Sequence, residues 1–307
     1  MSAPTIYRWD DPGAPVLDGT RGKLLALLDA VLVNGYGSKP SLGWSIAFTA
    51  TNKRVYRSLG NAFFYRLDAA VSVSVNFIDL SGFELMSDVD TGTGRFPATG
   101  TLEKICASST GDTTVRPWCV IGDSMGFYLI IWWNTTVSPV GNKNNAIIYY
   151  CGDYQSIIPG DAYNSAVIGG YISENFYAYN YFFHLLDTYS VEFWSPRKST
   201  GVAGAVNFAF MPGSGYGCQY HMGSSVDTVL PYPFNGQLLF SRPMINEGTR
   251  NTPRGFMPGL YYPQHAQPLN NFDHQTSLDG LDCIAICVTD VQYYGQVFID
   301  TSVNFRP

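Results

Sequence analysis

The chain has 307 residues, of which 46 % are hydrophobic and only 14 % charged, with a net charge of −6. That length can fill one large domain or two coupled ones. No basic run occurs, so neither a nucleic-acid groove nor a patch for an anionic membrane is expected. The 21 Tyr and 19 Phe, set against so little charge, suit a large β core with aromatic surface for protein neighbours.

The first eighteen residues carry Pro4, Pro12, Pro15 and Gly13, so they read as an extended arm with little helix. They lack a basic segment followed by an apolar one, so no signal peptide is expected, and synthesis and folding in the cytoplasm are. Two readings of the arm are open. In one, Trp9 anchors it in a neighbouring subunit while Asp10 and Asp11 fix polar register. In the other, the arm folds back over its own β core and Trp9 fills a groove there.

From Thr20 to Asn34 the spacing of Leu24, Leu27, Leu28, Val31 and Leu32 predicts a helix with one apolar face. Thr20 is placed to cap it, and Gly35 or Gly37 to end it. After Gly43 the period is two. Trp44, Ile46 and Phe48 alternate with Ser45, Ala47 and Thr49, and Val71 to Phe77 and Tyr189 to Phe193 follow the same rule. Phe127–Trp133, Ala146–Cys151, Phe182–Leu186, Val206–Met211 and Cys283–Val288 are apolar at every position, as central strands covered on both faces are. Even the longest of these runs is too short to cross a bilayer. Arg242–Pro268 is rich in proline and predicts a long irregular loop. The fold class expected is mainly β, a sandwich or barrel with an N-terminal arm and one short α-helix. Residues 19–307 form its β-rich domain. A division into two subdomains, if present, falls near 141–145 or 213–217.

Gly122-Asp123-Ser124-Met125-Gly126 matches the nucleophile pattern G-x-S-x-G. That elbow needs a helix after the serine, whereas FYLIIWW is strand-like, so a hairpin turn is expected and Ser124 is not expected to act as a nucleophile. Cys218, His221, Cys283 and Cys287 are the ligand types for zinc. Residues four apart on a strand are about 13 Å from each other, too far for one ion. Gly213–Gly217 lacks the lysine and helix of a phosphate loop. Asp88 and Asp90 lie in a polar turn that completes no calcium loop. His184, His221, His265 and His274 show no partner arrangement, and Asn134 begins a sequon with no secretory context. No cofactor or metal is expected, and the six cysteines are expected to be reduced.

The segment YRWDDPGAPVLDG, the helix, and VNGYGSKPSLGWSIAFTATNKRVYR after it resemble the opening of a group of structural proteins encoded by tailed bacteriophages. GDSMGFYLII, CGDYQSIIPGDAYN and RGFMPGLYYPQH are similar to later blocks of the same group. The resemblance implies a non-enzymatic virion component of the tail tip, baseplate or neck, homo-oligomeric among other virion proteins, or else a capsid-associated one. It implies no active site. A glycan-binding tail module is the alternative, with Trp132, Trp133, Tyr149, Tyr150, Tyr177 and Tyr179 as stacking platforms, against the favoured account of the same residues as core and sheet face. A hydrolase built on Ser124 is the third reading.

Overall fold

The computed structural model describes residues 3–69, 77–99, 103–132, 146–169, 171–172, 178–179, 193–211, 240–242, 244–247, 252–263, 272–276, 280–290 and 293–306. The chain is mainly β, as expected; among the described residues there is one short helix near the N-terminus and a 3-10 turn at Val303–Phe305. Its strands form a ten-stranded sheet, two five-stranded sheets and two small hairpins, antiparallel throughout. Among the described residues every sheet runs from one edge to another and none closes into a barrel.

The ten-stranded sheet is the central layer. Its order is Thr5–Arg8, Trp118–Gly122, Gly126–Trp132, Ala146–Asp153, Ser165–Ile168, Phe193–Arg197, Ala203–Met211, Met244–Glu247, Thr252–Phe256 and Gln155–Ser156. Successive side chains of a strand point to opposite faces, and here both faces meet protein. Trp118, Val120, Phe127, Leu129, Ile131, Ile147, Tyr149 and Cys151 belong to one core with the helix and the N-terminal sheet. Cys119, Ile121, Tyr128, Ile130, Trp132, Ile148 and Tyr150 belong to a second core with Ile284, Ile286, Val297 and Ile299 of the C-terminal sheet. Phe127–Trp132 and Ala146–Cys151, apolar at every position, are therefore strands shared by these two cores, while the side chains of Val206–Met211 lie outside the described residues. Phe182–Leu186 lies outside the described residues.

The N-terminal sheet has the order Ser45–Ala50, Lys53–Arg57, Phe64–Asp68, Phe77–Phe83, Glu103–Cys106. The C-terminal sheet has the order Phe240–Ser241, Leu260–Pro263, Tyr293–Asp300, Asp282–Asp290, His274–Thr276. The Val71 to Asn76 and Tyr189 to Glu192 alternations, and the proposed boundaries at 141–145 and 213–217, lie outside the described residues.

Three expectations need correction. The helix begins at Lys23, behind a left-handed Gly22, and has no side-chain cap. Thr20 instead turns its hydroxyl to Asp18 Oδ1 at 2.5 Å. The helix is α only to Leu28 and continues as a π-helix over Asp29–Asn34, yet all five predicted apolar positions are buried. Gly35, at φ +77°, ends it and donates its N–H to Ala30 O. Second, Trp44 and Ile46 face the inner core, but Phe48 packs with Val55 and Phe64 on the opposite side. A bulge between Ile46 and Phe48 adds one residue opposite Tyr56–Val55, which reverses the faces beyond it. Third, Arg242–Pro268 is not one irregular loop. It contains Met244–Glu247, Thr252–Phe256 and Leu260–Pro263, and residues 264–268 are not described. Pro253 is accommodated because it sits opposite Asn246, where the register shifts.

Candidate functional site

The arm lies on the chain's own fold. Thr5–Arg8 is the outermost strand of the central sheet, with Tyr7 opposite Val120 and fully buried. The Tyr7 hydroxyl donates to Pro40 O at 2.6 Å, and Trp118 Nε1 donates to Pro15 O at 3.0 Å. Trp9 donates its backbone N–H to Trp118 O at 3.1 Å. Its half-buried ring sits 6.1 Å from Trp132 and 5.9 Å from Phe272, centroid to centroid. The Arg8 guanidinium covers the Phe272 ring at 4.2 Å and is held by Asp10 through two hydrogen bonds of 2.9 and 2.7 Å. Of the two readings of the arm, the geometry is that of folding back, and Trp9 fills a groove beside Trp132. The three prolines do not keep the segment detached, because its apolar residues Tyr7 and Leu17 reach the core.

Asp11 has a different role from the one expected. Its Oδ2 accepts from the Arg8 backbone N–H at 2.7 Å and the Tyr36 hydroxyl at 2.8 Å, and pairs with Lys39 at 2.6 Å. Partial burial pushes its pKa up, but the bonds from Lys39, Arg8 and Tyr36 outweigh that and hold it below the usual range. Lys39 Nζ also donates to Ile6 O at 2.6 Å, and Arg8 O accepts from Tyr36 at 3.4 Å. The bond from Trp9 N–H fixes the ladder so that Ile6 and Arg8 turn their backbone groups outward. Asp11, Tyr36 and Lys39 thus occupy most of the outer edge of this strand, which blocks strand addition there.

The G-x-S-x-G segment is the hairpin turn between Trp118–Gly122 and Gly126–Trp132. Asp123 Oδ1 accepts from the N–H groups of Met125 at 2.8 Å and Gly126 at 3.0 Å, which closes the turn. Asp123 Oδ2 pairs with Arg306 Nε at 2.5 Å. Ser124 O accepts from Leu59 N–H at 2.9 Å. The strand-like run after the serine is a strand, and the helix an esterase elbow needs does not follow. His274 pairs with Asp282 at 3.4 Å, while His184, His221 and His265 lie outside the described residues.

Two buried polar clusters gave no signal as motifs. Beside the turn, Asp153 is 4 % exposed; its Oδ2 accepts the Asn61 N–H at 2.6 Å and its Oδ1 has no hydrogen-bond partner. Arg306 Nη1 donates to Asp153 O at 2.6 Å. Burial pushes the Asp153 carboxyl up to about 6, against the opposing pull of Asn61 N–H and Arg306. In the second cluster, Arg254 is wholly buried. It binds Asp161 through Nε and Nη2 at 2.9 and 3.0 Å, Glu247 through Nη1 at 2.7 Å, and the carbonyls of Arg197 and Tyr163. Each is a lone charge next to apolar residues in CGDY and TPRGF. Such a position is a sequence cue for a buried charged group.

Candidate ligand groups are occupied or dispersed. Asp90 is taken by Lys53 at 2.8 Å and Arg66 at 3.1 Å, and Asp88 Oδ1 accepts the N–H of Val89. No cluster of three or more His, Cys, Asp or Glu side chains suited to a metal occurs among the described residues. Cys106, Cys119 and Cys151 are buried and in no disulfide; Cys283 is buried too. Cys218, His221 and the side chain of Cys287 lie outside the described residues. Trp132, Tyr149 and Tyr150 are at most 1 % exposed, so they are core and not sugar platforms. Trp133 and Tyr177, and the side chain of Tyr179, are not described. Among the described residues no helix is long and apolar enough to cross a membrane. No protein-family model and no curated protein matches the chain.

Proposed function

We propose that the chain is a non-enzymatic structural component of a tailed-bacteriophage virion, of the tail tip, baseplate or neck, working through contacts with other virion proteins. The observation that carries this reading is how the polar groups are used. Asp11, Asp123, Asp161, Glu247, Arg254 and Arg306 each tie one segment of the chain to another. The nucleophile-like G-x-S-x-G motif is a turn locked by Asp123 and Arg306. A charge set committed to rigidity suits a subunit that must keep its shape under load. The block resemblance supplies the phage setting. Capsid association is the variant reading, and a glycan-binding module is disfavoured by the burial of Trp132, Tyr149 and Tyr150.

The test is mass spectrometry and affinity-gold microscopy of purified particles of a phage encoding a tagged copy. Label at the tail tip or at the head–tail junction is expected. A chain absent from purified particles would overturn the reading, and label on the shell would move it to the capsid.

A further inference from the structure

The edges of the sheets are treated unequally. The Thr5–Arg8 edge is capped by Asp11, Tyr36 and Lys39. Gln155–Ser156, Phe240–Ser241 and His274–Thr276 are edges of two or three residues. Glu103–Cys106 is mostly buried, and its Cys106 N–H is taken by the Tyr149 hydroxyl at 2.9 Å. Ser45–Ala50 is different, although just before it Trp44 gives its outward N–H to Leu32 O of the π-helix at 3.0 Å. It is a six-residue edge, SIAFTA, with no charge and no proline, the devices that usually blunt an edge.

Its open groups follow from the ladder. Ser58 N–H bonds Phe63 O and Ala69 N–H bonds Asn52 O, so Arg54 and Tyr56 bond toward Phe64–Asp68. Lys53, Val55 and Arg57 therefore bond toward Ala50, Phe48 and Ser45. Ile46 and Thr49 turn their N–H and C=O groups outward. Among the described residues nothing bonds to them.

We propose that Ser45–Ala50 is a docking edge for the same strand of a second copy of this chain, antiparallel across a two-fold axis. The partner's identity rests on the structural reading above, since subunits of symmetric assemblies meet through self-complementary surfaces. Two observations favour a second copy over a foreign strand. The strand has no charge, so it meets itself without like-charge repulsion, whereas a strand selective for a charged partner would carry the opposite sign. Its outer face carries half-buried Ala47, Phe48 and Ala50 beside Val55 and Phe64, an apolar strip that ends abruptly at the edge. Pairing across a dyad continues that strip into its own copy and joins the two five-stranded sheets.

Sedimentation velocity of the full chain tests this with two variants. Thr49→Lys puts a charge on an exposed edge position, and Thr49→Pro removes an outward donor while leaving the inner ladder intact. The wild type is expected to be dimeric at about 100 µM and both variants to weaken the dimer about tenfold or more. Amide exchange at Ile46 and Thr49 should be slow in the wild-type dimer and fast in Thr49→Lys. If a Thr49 variant melts early, Ser45→Lys, also at an exposed position, replaces it. A wild type that stays monomeric, or a dimer indifferent to these changes, would overturn the inference. Particle incorporation of Thr49→Lys is scored separately. A monomeric wild type found in particles sinks the edge alone, and an edge-paired dimer absent from particles sinks the virion role alone.

Discussion

Asp153 should destabilise the protein at neutral pH, and Asp153→Asn should reveal it. The carboxyl is 4 % exposed, with Oδ2 on Asn61 N–H, no hydrogen bond to Oδ1 within 3.5 Å, and the Ser165 hydroxyl nearby lowering its pKa. Burial raises its pKa from 3.8 to about 6. The folded chain therefore binds more protons than the unfolded chain between these values. Stability from this group is greatest below about pH 4 and falls as pH rises to about 6. A shift of about two units is about 3 kcal/mol at pH 7.5. The asparagine keeps an acceptor for Asn61 N–H but puts an NH₂ where Oδ1 has no partner, which costs about 1 kcal/mol. The net gain of about 2 kcal/mol should raise Tm by about 4 °C at pH 7.5 in a chain of this size. Thermal scans of both proteins from pH 4 to 8 measure it. The variant should melt above the wild type at pH 7.5, and the gap should shrink, close at about pH 4.5 and reverse below it, where only the cost of the unpaired NH₂ remains. Parallel profiles, or a wild type that gains on the variant as pH rises, would refute the assignment.

Four further outcomes are expected. Arg254→Met leaves Asp161 and Glu247 buried without their cation and should lower unfolding free energy by about 3–5 kcal/mol in urea titrations. Deleting residues 2–17 removes Tyr7 and Leu17 from the core and should cost about 3 kcal/mol or more; unchanged melting would mean that the arm contributes nothing to its own sheet. A fluorophosphonate probe should label neither the wild type nor Ser124→Ala, because the segment is a turn closed by Asp123. Buried Cys106, whose thiol burial pushes up to about 12, should react with maleimide only after unfolding.

Much of this architecture was legible because it depends on period and composition. FYLIIW and AIIYYC could only be strands covered twice, and the helix leucines marked one face. The losses have local causes. A single bulge at Ala47 turned Phe48 outward, and no periodicity rule registers one extra residue. Pro253 and Pro263 disguised Thr252–Phe256 and Leu260–Pro263, because a proline signals a break unless the register shift or strand end that tolerates it is known. The arm misled for a related reason. Its prolines and acids suggested something poised for a neighbour, while Tyr7 and Leu17 were the residues that decided. The polar junctions were hidden because partners such as Asp123 and Arg306 are far apart in sequence, and only the stacked layers bring them together.

The doubly covered central strands also govern how the protein comes apart. Gly126–Trp132 and Ala146–Asp153 supply alternate side chains to two cores. Melting either core strips one side of the same backbone, so neither outer sheet can be lost without weakening the hold on the other. Such a chain should unfold as one cooperative unit around this seam, with opening confined to the outer strands and hairpins. Its synthesis faces the converse problem. Thr5–Arg8 must wait for Trp118–Gly122, more than a hundred residues later, before its ladder can form. Until then it is an unpaired strand on the ribosome, and the slow, non-local closure of the sheet sets the window in which the nascent chain needs protection.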